Sequence, residues 1–351
     1  MTKFDLLTQS PYVGTKEHVA PVTERESSTV APPLAPASWP LLPWARGPLS
    51  EAIIAALQSE SRRLDPPPEV NVQEPLRDDD FQLALYLCYA AQQRDRMGLD
   101  GEWDVNLFWF RAHLENIFMT RLREVITPRF HRRPFDVASE INQLIFASQR
   151  ISVSSYFVNN GTLDQFREFC AHQSVSQLRE NGLTAPAVSR PFGEASTSSS
   201  QLFAATMSAL GLDPSYGSYV EMLPGVTLAT SNLASMFQLH RKWRAELVGL
   251  RAVSEMTSGS PMERYGHTLE RFGVGPEGRA FFESHLSVDA RTAEIARRRM
   301  TTGLLSTDPE CGDDVLFGAA ATLLLEENFS RHLLDSWVHQ RSSLVPWEMN
   351  S

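Results

Sequence analysis

The stretch from Ala280 to Ala296 contains neither proline nor glycine and reads as one unbroken helix. His285, Asp289 and Thr292 stand at i, i+4 and i+7 within it, so they share one face, which Phe281 and Ala296 extend at its two ends. A face that mixes imidazole and carboxylate with Phe and Ala is built to turn inward. Two arrangements satisfy it: a His–Asp pair buried at a helix seam, or ligands presented to an interior site. The pattern alone is met by the first.

Most of the remaining chain is helical text as well. Pro48 suits the first turn of a helix that opens the folded region after Gly47. A Pro-rich connector fills 62–76, and Asp78-Asp79-Asp80 then leads a helix towards Met97 with its acidic residues at the N-terminal dipole. Further helices are expected at 103–125, 135–149, 162–181 and 201–210. One long run is expected from Val226 to Glu255, with shorter helices at 260–272 and 276–301 and a last one at 312–339. Strand signals are scarce, and no Gly-rich phosphate loop, G-x-S-x-G elbow or internal repeat occurs. The expected fold class is all-α, with eight or so helices. Residues 1–45 carry Pro-rich text such as Val30-Ala31-Pro32-Pro33 and are expected to form a disordered arm, with Leu41-Leu42-Pro43-Trp44 docking onto the domain. The domain itself is expected over 46–341, with a short tail at 342–351.

Composition excludes several classes. The net charge is -10 and no basic block stands out, which argues against nucleic-acid binding. No apolar run approaches about 18 residues, so no transmembrane helix is expected, and the N-terminus lacks the pattern of a secretory signal. Cys88, Cys170 and Cys311 are too widely spaced for a metal knuckle or a disulfide framework, which fits a reducing cytoplasm. Lys242 is the sole lysine beyond the N-terminal arm and thus the sole Schiff-base candidate in the domain. It stands between Arg241 and Trp243 and reads as a solvent-facing group. His240 reads as a structural hydrogen-bonding residue, His267 and His332 as surface residues, and Cys170 as a buried small hydrophobe.

Several ordered blocks are similar to one family. They are Gly47-Pro48-Leu49-Ser50-Glu51, Leu85-Tyr86-Leu87-Cys88-Tyr89, Thr227-Leu228-Ala229-Thr230-Ser231-Asn232-Leu233, Leu239-His240-Arg241-Lys242-Trp243-Arg244, Ser254-Glu255-Met256-Thr257-Ser258, Phe281-Phe282 with His285 and Asp289, Gly318-Ala319-Ala320, and Leu333-Leu334-Asp335-Ser336-Trp337. Together, over about 47–340, they resemble the iron-containing redox enzymes of the heme-oxygenase-like diiron oxidase superfamily. The resemblance implies a heme-oxygenase-like helical bundle. It also implies two irons held between core helices by carboxylates and histidines, and oxidation of amino-acid-like or fatty-acid-like substrates with dioxygen.

Carried over residue by residue, four ligand positions persist: Glu180, Glu255, His285 and Asp289. The departures are as informative. Thr292 stands where the family has its final histidine, Ser199 and Thr184 stand at other histidine positions, and Ala90 and Gln92 replace polar residues of an early helix. The segment between Glu180 and Leu202-Phe203 lacks the Glu-bearing half of a core helix. Two irons need about six or seven protein ligands, so this degenerate set suits a single iron or no metal. Without metal, three carboxylates around one imidazole would raise at least one carboxyl pKa and provide a general acid.

Two function classes follow. One is a repurposed enzyme of specialised, natural-product metabolism, acting on a small amino-acid-derived or acyl substrate with one metal or none. The other is a catalytically inactive pseudoenzyme that pairs with an active paralogue or a biosynthetic partner. Both suit a homodimer or a heterodimer with a paralogue, and neither calls for nucleic acid or a membrane.

Overall fold

The computed structural model describes residues 42–59, 63–64, 66–93, 105–126, 137–148, 151–179, 198–285 and 308–346. Among the described residues the regular structure is helical, with no strand. The α-helices are α1 (Pro48–Gln58), α2 (Asp79–Gln93), α3 (Val105–Ile126), α4 (Val137–Ser148), α5 (Val153–Asn159), α6 (Leu163–Gln177), α7 (Ser199–Ala209), α8 (Gly225–Leu239), α9 (Arg244–Arg271), α10 (Pro276–Ser284) and α11 (Gly312–Val338). No described helix is long and apolar enough to cross a membrane.

The acidic run Asp78-Asp79-Asp80 does more than suit its own helix dipole, because each carboxylate caps a different helix. Asp78 accepts from the Phe81 amide at 2.8 Å within α2. Asp79 accepts from the Gly225 amide at 2.5 Å and closes the N-terminus of α8. Asp80 accepts from the Leu49 and Ser50 amides at 2.9 and 2.8 Å and closes α1. Unsatisfied amides at a buried helix start are costly, so this one turn fixes how three helices meet. Gly225 fits there because a Cβ would lie 2.6 Å from the Arg77 carbonyl oxygen. The same pair of helices is pinned further along by Asn232, whose amide donates to the Gln82 backbone and side-chain oxygens at 2.9 and 2.7 Å.

α9 packs chiefly against α11. Their backbones come close because Gly249 and Gly318 face the crossing: a Cβ on Gly249 would collide with the Val315 carbonyl, and one on Gly318 with the Glu246 carbonyl. Beyond the crossing lies an aromatic seam. Tyr265 of α9 meets Phe157, Phe166, Phe169 and Phe282 at ring separations of 4.8–6.2 Å, and Phe157 continues to Trp337 of α11 at 5.2 Å. Offset and edge-on contacts of this kind add to the burial free energy of the rings.

Three departures from the sequence reading have local causes. The long run expected from Val226 to Glu255 breaks at His240, whose extended backbone separates α8 from a 3-10 turn at Arg241–Trp243. The helix expected to restart near 260 is instead the second half of α9, which continues through Pro261; Tyr265 and Leu269, buried beyond it, hold that half in register. The short helix α5 has no strong apolar period. Its start is set by Ser152, whose hydroxyl accepts from the Ser155 amide. At the N-terminal edge, Leu42 packs on the core as expected, whereas Trp44 is 68% exposed. Of the arm expected over 1–45, residues 1–41 lie outside the described residues.

Candidate functional site

His285 is positioned by α10. Gly275 and Pro276 start this helix, and Phe281 and Phe282 bury its inner face. His285 is its C-terminal cap, half-buried and edge-on to the Phe281 ring at 4.9 Å. Its Nδ1 lies 2.8 Å from the Phe281 carbonyl oxygen. A carbonyl can only accept, so Nδ1 carries a proton and donates it, which leaves Nε2 as the ring nitrogen turned away from this contact. The helix expected to run on to 301 is described only as far as Ser284. Asp289 and Thr292 lie outside the described residues, as does Glu180.

Glu255 stands on α9 on an exposed face, one turn after the buried pair Ala252 and Val253. Ser199 is the first residue of α7 and is exposed; its neighbour Ser198 caps that helix by accepting from the Gln201 amide. Among the described residues no three His, Cys, Asp or Glu side chains form a group able to hold a metal ion.

The structure also builds two buried polar clusters that the sequence reading did not assemble. In the first, Glu115 of α3 accepts from the Tyr89 hydroxyl at 3.0 Å and from His240 Nε2 at 2.9 Å, with Arg111 Nε 3.4 Å away. His240 is therefore the structural hydrogen-bonding residue expected of it, and its bond to Glu115 holds the α8 break in place. Burial and Glu115 together push the Tyr89 hydroxyl well above its ordinary range, and burial takes the Cys88 thiol up to about 12. Neither group ionises near neutrality.

In the second cluster, Glu168 of α6 accepts from the Trp337 indole at 2.9 Å, the Ser342 hydroxyl at 2.7 Å, and the Ser343 amide and hydroxyl at 3.0 and 2.9 Å. His172 lies between Thr227 Oγ1 at 2.8 Å and Ser343 Oγ at 3.0 Å. Burial, aided by the neighbouring His332, holds it neutral. His332 is itself part-buried and donates to the Ser343 carbonyl at 2.7 Å, so it anchors the chain end and is no surface residue. This cluster ties 342–345 onto the bundle, and no signal short of the fold brings Glu168 to Ser343.

Two carboxyls differ from these. Glu246 is 2% exposed beneath the α9–α11 crossing, and its Oε2 has no hydrogen-bond partner. Burial, with Asp314 nearby, raises its carboxyl to about 7 against the opposing pull of Arg123. Glu326 of α11 is half-buried and is raised to about 7 by burial alone. A carboxyl that titrates near neutrality can donate or accept a proton under ordinary conditions. The three thiols are free and buried, and Cys170 is the buried hydrophobe expected of it. His267, at 72% side-chain exposure, and the exposed Lys242, whose ammonium lies 4.9 Å from the Trp243 ring, are surface groups as expected.

Residues 193–327 match the sequence model of a family described as iron-containing redox enzymes. The matched stretch begins before α7 and ends within α11, so it includes Ser199, Glu246, Glu255, His285, Asp289, Thr292 and Glu326 but not Glu180, Glu115 or Glu168. No curated protein matches the chain.

Proposed function

We propose that this chain, which belongs through residues 193–327 to the iron-containing redox enzyme family, is a repurposed enzyme that keeps the family's bundle and has a reduced metal site. In this reading it serves specialised, natural-product metabolism in a reducing cytoplasm. It acts on a small amino-acid-derived or acyl substrate with one metal or none.

The observation that carries the reading is the state of His285. Its Nδ1–H is committed to the Phe281 carbonyl and its Nε2 makes no hydrogen bond to a described residue. Metal-binding histidines are oriented in this way, with the remote nitrogen fixed by a backbone or carboxylate acceptor. The donor chemistry fits one ion. Glu180, Glu255 and Asp289 would supply carboxylate oxygens beside the imidazole, a set suited to iron. Thr292 and Ser199 offer only neutral hydroxyls where the family resemblance places histidines. A single iron held there would supply a redox-active centre with open coordination positions. The chain's own contribution is to hold the imidazole through its Nδ1 contact and to screen it with Phe281 and its aromatic neighbours.

The test is iron retention. Full-length protein is loaded with Fe(II) without oxygen, desalted and analysed for metal, beside His285→Ala. The wild type is expected to retain no more than about one equivalent, and the variant less than the wild type. Two retained equivalents would overturn the reduced site, and equal non-zero retention by the variant would overturn the role of His285.

One observation favours the second reading, a pseudoenzyme paired with a paralogue or a biosynthetic partner. Val105, Phe108 and Trp109, at i, i+3 and i+4 on α3, are 62%, 48% and 65% exposed. An apolar face of this kind suits a partner surface. A monomeric state in solution, with no mass change on adding a paralogue from the same source, would count against it.

A further inference from the structure

Residues 342–346 follow α11 without helix or strand and lie back over the bundle as a strap. Three titratable side chains hold it, and all three meet at Ser343, which is 1% exposed. The Ser343 amide and hydroxyl both donate to Glu168 Oε2, at 3.0 and 2.9 Å. Its hydroxyl oxygen also lies 3.0 Å from His172 Nε2, and its carbonyl accepts from His332 Nε2 at 2.7 Å. On either side, the Ser342 hydroxyl donates to Glu168 Oε1 at 2.7 Å, Leu344 is buried in the core, and the Val345 amide donates to the Met222 carbonyl at 2.9 Å.

The hydrogens of this network can be placed. Glu168 Oε2 accepts from the Trp337 indole and the Ser343 amide, and it accepts the Ser343 hydroxyl hydrogen as well. A serine hydroxyl has one hydrogen, so Ser343 Oγ must accept from His172, whose proton therefore sits on Nε2. The buried ring is neutral, which leaves Nδ1 to accept from the Thr227 hydroxyl at 2.8 Å. The chain of donors runs one way, from Thr227 through His172 and Ser343 to Glu168. A second proton on the imidazole would have to enter at Nδ1, against the Thr227 hydrogen, and would place a charge where His172 is 1% exposed. Few charged groups face it. α6 contributes Glu168, which already receives four hydrogen bonds. α8 carries no ionisable side chain. α11 places Phe329 edge-on at 5.5 Å and the His332 ring at 6.4 Å, while its Asp335 is bound to Arg341 at 3.0 Å and lies 3.3 Å from His339. At the turn that receives Val345, Arg46 donates to the Val220 and Glu221 carbonyls.

We propose that residues 342–345 form a proton-operated latch, closed on α6 while His172 is neutral and released when His172 takes up a proton. Release breaks the contacts of Ser343 with Glu168, His172 and His332 together, because all of them pass through one residue, and it withdraws Leu344 from the core. Burial holds the closed-state imidazole well below its ordinary 6.5, with His332 acting in the same direction. Once the strap leaves, water reaches the ring and its ordinary value returns. The direction follows: the latch is fully closed above about 6.5 and weakens as pH falls towards the closed-state value, by about tenfold for each pH unit in that window. The latch does not depend on the metal reading of His285.

Hydrogen exchange of the full-length chain reads the latch through the Ser343, Leu344 and Val345 amides, which donate to Glu168, Ser342 and Met222. After correction for the chemical exchange rate, their protection is expected to fall about tenfold between about pH 7.5 and about pH 5.5. Amides in the middle of α2, such as that of Leu85, are expected to keep theirs. In His172→Gln, whose amide does not titrate, the strap protection should no longer change with pH. Unchanged strap protection in the wild type, an equal fall in α2, or the same fall in His172→Gln overturns the proposal. If the variant does not fold, long-range proton–nitrogen spectra of the wild type at about pH 6.5 read the ring itself. A neutral His172 with its proton on Nε2 is expected, and a charged ring or a proton on Nδ1 alone overturns the latch.

Discussion

Glu246→Gln isolates the cost of the carboxyl beneath the α9–α11 crossing. Glu246 is 2% exposed, its Oε2 has no partner, and its carboxyl is raised from 4.5 to about 7 by burial. Each pH unit between folded and unfolded pKa values is worth about 1.4 kcal/mol, so this shift corresponds to about 3 kcal/mol. The direction follows from the raised value. The folded state prefers the protonated carboxyl, so the full stability is present below about 4.5, is lost progressively as pH rises, and is gone above about 7. The amide that replaces the carboxyl keeps its shape and does not titrate. Urea unfolding of both proteins at about pH 4.5 and about pH 8.5 gives a double difference in which all other titrating groups cancel. The wild type is expected to lose about 3 kcal/mol more than the variant over that interval. A double difference below about 1 kcal/mol would refute this reasoning, because the carboxyl would then be ionised in the fold at little cost.

Asp80→Ala removes the acceptor of the Leu49 and Ser50 amides; a loss of about 1–2 kcal/mol is expected, with faster hydrogen exchange confined to the first turn of α1. Glu115→Ala leaves Arg111 buried without its counter-charge and is expected to cost about 3–5 kcal/mol; adding Arg111→Met should recover much of it, and no recovery in the double variant would show that the charge pair is not the cause.

The helical fold is written in the sequence at the level of local pattern. The apolar period finds α3, α4, α6 and α11 to within a few residues, because each buries a continuous stripe. It fails where a tertiary contact decides. The break at His240 depends on Glu115, which is 125 residues away along the chain, and the passage through Pro261 depends on the burial of Tyr265 and Leu269. The acidic run before α2 is visible as a helix start, but its service to α1 and α8 is not, since those acceptors meet their amides only in the assembled bundle. At the candidate site, His285 is legible from its spacing to Phe281 and Asp289, and its tautomer emerges only from the carbonyl it meets. Glu326 gives no sequence signal at all. In the text it is one acidic residue before Glu327, and only the surrounding helices separate it from that ion-pair former, which is bound to Arg331 at 2.6 Å.

The central claim of the proposed function is a site reduced to at most one metal around His285. Anaerobic Fe(II) titration of the full-length chain, followed by Mössbauer spectroscopy of iron-57, tests it most directly. No more than about one bound iron per chain is expected, with the spectrum of a mononuclear site, since one imidazole and three carboxylates are too few donors for two irons. Two equivalents with the signature of a coupled iron pair would contradict it.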